Sequence, residues 1–386
     1  MKSVGLLTMH RVVNNCGSCL QTLATVKVVD KLGYACTVID YLYPTAYHKL
    51  KPVGNDYAGG GTVRRLLKKI GILDYVRVLK LWFWQWRDRK RLRAFLGSFD
   101  HTSAVGRDTL SSLPSFDIYL TGSDQTWNAR YLAEDYTYLL DFVPDNVRKI
   151  SYGASFGDGE VLPDYRETYA QLLSRYDAIS VREASGIGTV RDLTGKPAVH
   201  VADPTLLLTA DEWRPLSVCP EAASERFVFC YALSYFDPGP WFVKAIAEIA
   251  RRLDAKVVFY TDGLRLQEAR EAGFAVLTGT LLHQEFLGYV DRAAFVVTTS
   301  FHGTAFSLNF RKDFLSAINP KVGGKGRVGS LLKEVGLSMR GVSDANDVPW
   351  ILEHLSVDYS QAEIRLEELR QFSIGYLKTA LEGGHA

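Results

Sequence analysis

A chain of 386 residues is long for one hydrophobic core, so two domains of ordinary size are expected. Its 47% hydrophobic and 23% charged content is that of a soluble globular protein, and a formal charge of +2 gives no general attraction for nucleic acid. No run approaches a membrane span, His10 and Arg11 interrupt the short apolar start, and five cysteines, an odd number, suggest a reducing, cytoplasmic setting without a disulfide framework.

Residues 3–8 read as a first strand. After a polar loop, residues 18–32 read as a helix closed by Gly33, and residues 35–40 as a second strand. This opening is Rossmann-like, yet the loop from Met9 to Gly17 lacks the three glycines that let a pyrophosphate approach the backbone, so no dinucleotide site is expected. Its His10, Asn14 and Asn15 either contact a ligand in a cleft between domains or simply close the turn. Cys16-Gly17-Ser18-Cys19 imitates a redox pair, but small residues packing a helix start are the better account. No second CxxC or histidine pair completes a zinc site, and no metal is expected.

Residues 41–115 are the least regular. Gly59-Gly60-Gly61 marks a joint or a tight turn. Residues 76–95 have helical spacing, with Trp84 and Trp86 beside Arg87, Arg89, Lys90, Arg91 and Arg93. This reads as a helix covering its own protein with a solvated basic side; peripheral contact with an anionic membrane surface is the alternative.

Residues 116–121 form a short strand that ends in Gly122-Ser123-Asp124-Gln125-Thr126-Trp127-Asn128, a polar turn that is costly unless its groups find partners. Residues 149–157 repeat the layout with Ser155, and residues 178–183 do so again with Arg182 at the strand edge. Three polar-tipped strand ends suggest one cleft wall assembled from separate loops.

The second half reads as another doubly wound unit, with strands at 227–233, 256–261, 274–277, 294–299 and 314–318 and helices at 241–253 and 282–293. The apolar strand at 294–299 breaks into Ser300-Phe301-His302-Gly303, and Thr304 is placed to cap the helix that follows. His302 is then at the carboxyl edge of a parallel sheet, beside free helix N–H groups that suit an anion. A histidine that merely caps the helix is the alternative. Lys321, Lys325 and Arg327, among the glycines before a helix at 328–335, form a second anion-friendly loop. An amphipathic helix over 362–381 is placed to cross back over the first domain.

The expected fold class is α/β, two Rossmann-like domains facing a cleft as in GT-B glycosyltransferases. The N-terminal domain covers residues 1–210 on the acceptor side, the C-terminal domain 211–355 on the donor side, and the final helix 356–386. Thr8-Met9-His10-Arg11, Asn14-Asn15, Leu20-Gln21, the segments 122–128, 151–157 and 179–183, Asp203-Pro204-Thr205-Leu206-Leu207 and residues 299–307 together resemble the polysaccharide pyruvyl transferase family. The match runs in order to about Leu337 and is weak between Tyr41 and Ser115. The chain departs at Cys16, where an aromatic residue is expected, and at Ser300-Phe301-His302-Gly303, where many relatives carry Arg-Leu-His-Gly.

The resemblance implies transfer of the three-carbon skeleton of phosphoenolpyruvate to two hydroxyls of a sugar, giving a cyclic ketal. Phosphoenolpyruvate is then a co-substrate, with no cofactor, and the other partner is a sugar or glycan, lipid-linked or polymeric. On this reading His302 contacts the leaving phosphate or acts as acid, and Arg182, Lys325 and Arg327 clamp the donor with Ser300, Gly303 and Thr304. Asp124 is the candidate base, and His10, Asn14, Asn15, Ser123, Gln125, Asn128 and Ser155 face the acceptor. Two other readings stay open: a GT-B glycosyltransferase with a nucleotide-sugar donor, and a non-catalytic glycan-binding protein. Against the former, Asp313 is the one carboxylate between His302 and Glu334 that could grip a ribose.

Overall fold

The computed structural model describes residues 1–11, 15–43, 91–132, 134–157, 161–218, 225–277, 281–323 and 326–384. The triple glycine, the aromatic and basic stretch as far as Lys90, and the site candidates Asn14 and Lys325 lie outside the described residues.

In the first half, β1 (Ser3–Leu7), β2 (Ala35–Val38), β3 (Ile118–Thr121) and β4 (Arg148–Ser151) form a parallel sheet in the order β2-β1-β3-β4. A pair of parallel strands, β5 (Ser180–Val181) and β6 (Val199–His200), continues it through bridges from Ile150 to Ala178 and from Ala154 to Val181. In the second half, β7 (Phe227–Ala232), β8 (Lys256–Thr261), β9 (Ala275–Leu277), β10 (Phe295–Thr298), β11 (Phe314–Ala317) and β12 (Gly341–Val342) form one parallel sheet in the order β12-β11-β10-β7-β8-β9. Strands β3, β7, β10 and β11 are buried along their whole length, which is why they read as unbroken apolar runs rather than alternating ones. The strand order reverses between β1 and β3 in the first sheet and between β10 and β7 in the second, the places where doubly wound sheets open a crevice.

Helix α1 (Cys16–Lys31) starts two residues earlier than the spacing predicts, because the Asn15 side chain caps it by accepting from the Ser18 N–H at 3.3 Å. Four more helices matter here: α2 (Ser185–Thr194), α3 (Trp241–Arg252), α4 (His283–Arg292) and α5 (Phe301–Asn309). The start of α5 corrects the expectation of a cap at Thr304. Thr298 Oγ1 accepts from the Ser300 N–H at 3.0 Å and turns the strand at once, so Ser300 is the N-cap residue and His302 lies in the first turn. Thr304 is buried inside the helix and bonded to the Ser300 carbonyl and Ser316 Oγ. Helix α6 (Arg327–Glu334) follows β11, and α7 (Ser360–Glu382) runs back over the first half. There Ser373 Oγ accepts from the Ala202 N–H at 2.9 Å, Arg370 Nε donates to the Leu206 carbonyl at 2.8 Å and Tyr376 donates to the Ser151 carbonyl at 3.2 Å.

The halves are not beads on a string. One apolar cluster runs from Leu6 and Leu20 through Phe286 and Leu308 to Leu377, so α1, α4, α5 and α7 share a core. No helix among the described residues is long and apolar enough to cross a membrane.

Candidate active site

A cleft of about 230 Å³ lies between the halves. The first half contributes Asn15 after β1, Asp124 and Gln125 after β3, Gly157, Glu183, and Ser185 at the start of α2. The second half contributes Tyr235 and Phe236 after β7, Ser300, Phe301 and His302 after β10, Asn319 after β11, and Arg327 at the start of α6. The cleft therefore sits at both strand-order reversals. Helices α1, α2, α5 and α6 all present their N-terminal ends to it, and free N–H groups there favour an anion.

The walls differ in charge. Arg327, His302 and the α5 and α6 N-termini stand on the second half, whereas Asp124 and Glu183 stand on the first. Beneath those carboxylates lies Arg182, 5% exposed and absent from the cleft lining. The expectation that it clamps an anionic donor is corrected: its charge is taken up by carboxylates. Nη1 donates to Asp203 Oδ2 at 2.9 Å, Nε faces Glu183 Oε1 at 3.4 Å, and Nη2 is 3.9 Å from Asp124 Oδ1. Its guanidinium carbon also lies 5.1 Å from the Phe301 ring centre, so it reaches the second half. Burial alone would lower the Arg182 pKa, but Glu183, Asp203 and Asp124 outweigh it and hold the cation firmly protonated.

Asp203 joins the halves. One oxygen caps the following turn through the Thr205 N–H at 3.0 Å; the other takes Arg182, faces Ser123 Oγ at 3.3 Å and lies 3.8 Å from His302 Nε2. Burial pushes this carboxyl up, yet His302, Arg182 and the Thr205 N–H outweigh it and leave it below the usual carboxylate range. Arg182 Nη2 and His302 Nε2 are buried nitrogens with no hydrogen-bond partner among the described residues. His302 reaches this spot because Gly17 has no side chain: a Cβ there would overlap the imidazole.

Asp124 holds a left-handed backbone, φ 76°, uncommon for a residue with a side chain, and its carboxylate accepts from the Gln125 N–H at 2.9 Å. Gln125 Oε1 accepts from Asn128 Nδ2 at 2.7 Å, and Ser155 donates to Glu183 Oε1 at 2.6 Å. Among the sequence candidates, Asn15, Asp124, Gln125, Ser300, His302 and Arg327 come together on the cleft. Ser123, Asn128, Ser155, Gly303 and Thr304 do not line it; they are buried behind its walls. Gly303 is needed there because a Cβ would overlap Thr298.

His10 is also corrected. It is 1% exposed, and its ring nitrogens face the Thr8 carbonyl at 3.0 Å and Asp40 Oδ1 at 2.8 Å, away from the cleft. Burial raises the Asp40 carboxyl, and the bond and charge of His10, with Arg11, outweigh it. His10→Ala is therefore expected to cost about 1–3 kcal/mol in a urea melt without changing donor affinity, because buried Asp40 loses one of its two hydrogen-bond donors and keeps only Arg11 among the described residues.

The Cys16 and Cys19 thiols are buried, and burial pushes Cys16 up to about 12, far from a reactive thiolate. The described residues hold no group of three His, Cys, Asp or Glu placed for a metal ion.

The family model described as polysaccharide pyruvyl transferase matches residues 15–320. The chain belongs to that family. Both Asn15 and His302 fall within the matched span of this pyruvyl transferase family member. No curated protein matches the sequence. Among solved structures, it is similar to MnaA of S. aureus with UDP, at 12% identity over 99% of this chain and 97% of that one, TM-score 0.51. It is also similar to a Listeria monocytogenes protein described as a putative UDP-N-acetylglucosamine 2-epimerase, at 11% identity, 99% and 97% coverage, TM-score 0.54. A further UDP-N-acetylglucosamine 2-epimerase gives 14% identity, 99% and 96% coverage and TM-score 0.53. At such identities the likeness shows the fold alone, a GT-B pair of Rossmann-like domains.

Glu183, Ser185, Asp203, Tyr235 and Asn319 join the site of this pyruvyl transferase family member without being among the sequence candidates. The signal existed for Tyr235 and Asn319, which follow predicted parallel strands and so belong to the ligand edge. Nothing local in the sequence joins Asp203 to His302.

Proposed function

We propose that the protein transfers a pyruvyl group from phosphoenolpyruvate to two hydroxyls of a sugar in a polysaccharide or its precursor, forming a cyclic ketal and releasing phosphate. The observation that carries this is the polarity of the cleft in its side chains: His302 and Arg327 stand with the α5 and α6 N-termini on one wall, and two carboxylates stand with the α1 and α2 N-termini on the other. A small, multiply charged anion fits the first wall, and hydroxyls that must lose protons fit the second.

The methylene carbon of the donor takes a proton from His302, and the first sugar oxygen bonds to the adjacent carbon as its proton passes to a carboxylate. The second sugar oxygen then displaces phosphate at that carbon, and its proton passes to the other carboxylate. One of the two hydroxyl protons restores His302, and the other leaves with phosphate or solvent. Asp124 and Glu183 are the pair of acceptors, Arg327 and the α5 and α6 N-termini hold the phosphate, and Arg182 keeps the neighbouring carboxylates in place. A nucleotide sugar has less to hold it. Asp313 lies at the entry end of β11, where it accepts from the Val357 N–H at 2.8 Å.

Asp124→Asn and Glu183→Gln are each expected to lower kcat by about 10²–10⁴-fold, the usual worth of a positioned proton acceptor. Donor affinity should hold or tighten, since a negative charge is removed. Asparagine tolerates the left-handed backbone, so Asp124→Asn should fold normally. The direct test mixes the protein with phosphoenolpyruvate and a panel of methyl hexopyranosides. Phosphate release matched by a product carrying the added pyruvyl mass supports the proposal; transfer from a nucleotide sugar instead overturns it.

A further inference from the structure

Resting on that reading of the cleft, we infer that Tyr235 is the stacking platform for a pyranose ring of the acceptor. Tyr235 lines the cleft and is 57% exposed. An exposed aromatic on a mobile loop would carry little meaning, but this loop is clamped on both sides. Before Tyr235, the Ser234 N–H and hydroxyl donate to the two oxygens of Asp262, each at 2.9 Å. After it, Arg265 grips Asp237 with two parallel bonds, Nε to Oδ1 at 2.9 Å and Nη2 to Oδ2 at 2.8 Å. Asp237 Oδ1 also accepts from the Gly239 N–H at 2.9 Å. Between the clamps, Phe236 packs against the second-half core that includes Phe242 and Phe259.

Such a fork of two bonds fixes orientation as well as distance. The protein thus commits two carboxylates and an arginine to fixing the backbone that carries an exposed ring at the cleft. A rigid ring loses little conformational freedom when a ligand covers it, so its contact area converts efficiently into affinity. The chemistry of the cleft says what covers it. A pyranose has a face of C–H bonds and a rim of hydroxyls, and it needs one flat apolar surface with polar groups around it. Tyr235 supplies the surface, and Asn15, Asp124 and Gln125 supply polar groups on the facing half.

The experiment is saturation-transfer NMR on the full chain with phosphoenolpyruvate present. The probes are methyl α- and β-hexopyranosides of the gluco, galacto, manno and N-acetyl series, with uridine as the competing flat ligand. At least one glycoside should receive saturation on the C–H bonds of one ring face, in wild type and Tyr235→Phe alike. In Tyr235→Ala its affinity should fall about tenfold, the scale of one lost aromatic contact. Phosphoenolpyruvate affinity should be the same in all three proteins. Unchanged glycoside saturation in Tyr235→Ala, none with any glycoside in wild type, or saturation of uridine alone would overturn the inference. A glycoside effect that depends on Tyr235 in a protein that ignores phosphoenolpyruvate would uphold the platform while removing the proposed donor.

Discussion

Arg182→Met is expected to destabilise the protein by about 3–5 kcal/mol, the cost of breaking a buried ion pair from one side. The cation is surrounded by Asp203, Glu183 and Asp124 from three separate segments, and methionine would leave all three carboxylates buried without it. Turnover should vanish as well, because Asp124 and Glu183 face the cleft and take their positions partly from this guanidinium. The companion Asp203→Asn, which retains an oxygen to cap the turn at Thr205, should recover part of the loss in the double variant. The acid side gives a second check. The folded-state pKa of Asp203 lies below its unfolded value, so its contribution is full above the ordinary carboxylate range near pH 4 and is lost as pH falls through the lower folded value. Urea melts between pH 7 and pH 3 should show the wild type losing stability as it is acidified, with a shallower loss in Asp203→Asn. An Arg182→Met variant as stable as wild type would mean the carboxylates are held by something else.

Gly17→Ala should cost about 10²-fold in kcat with a far smaller loss of stability, the scale expected when a catalytic group moves by about an ångström. Alanine is a better helix residue than glycine, so propensity alone would make this change stabilising. The added methyl has no room: it would overlap the His302 ring, which packs on the first turn of α1. The imidazole can swing aside more cheaply than two buried helices can part, so geometry at the site suffers before the fold does. Kinetics and melting temperature measured on the same preparation separate the two effects. Wild-type kcat in this variant would show that the position of His302 beside Gly17 is immaterial to turnover.

Much of the architecture is legible in the sequence, for physical reasons that can be named. Strands buried on both faces announce themselves as apolar runs, and the residues just after them fall at the ligand edge; Asp124, Gln125 and His302 are found this way. The cap of α5 is misread by four residues, Thr304 for Ser300, since Phe301 and His302 look like a turn until the Thr298 hydroxyl is seen closing it. Charge is harder to read than pattern. Arg182 looks like a donor clamp from its place at a strand end, yet carboxylates at positions 124, 183 and 203 draw it under the wall. His10 is drawn away by Asp40, its partner thirty residues on. Tyr235 follows a predicted strand, but what makes it a surface worth noticing is the pair of clamps from Asp262 and Arg265, which only the fold brings together.

The central claim is that the wall formed by the α5 and α6 N-termini receives phosphoenolpyruvate. Calorimetric titration of phosphoenolpyruvate and of UDP- and GDP-sugars into wild type and His302→Ala tests it most directly. Binding of phosphoenolpyruvate alone is expected, weakened about tenfold or more in His302→Ala, because the wall that holds the anion loses its proton-bearing imidazole. Binding of a nucleotide sugar in its place, or phosphoenolpyruvate affinity that is unchanged in His302→Ala, would contradict it.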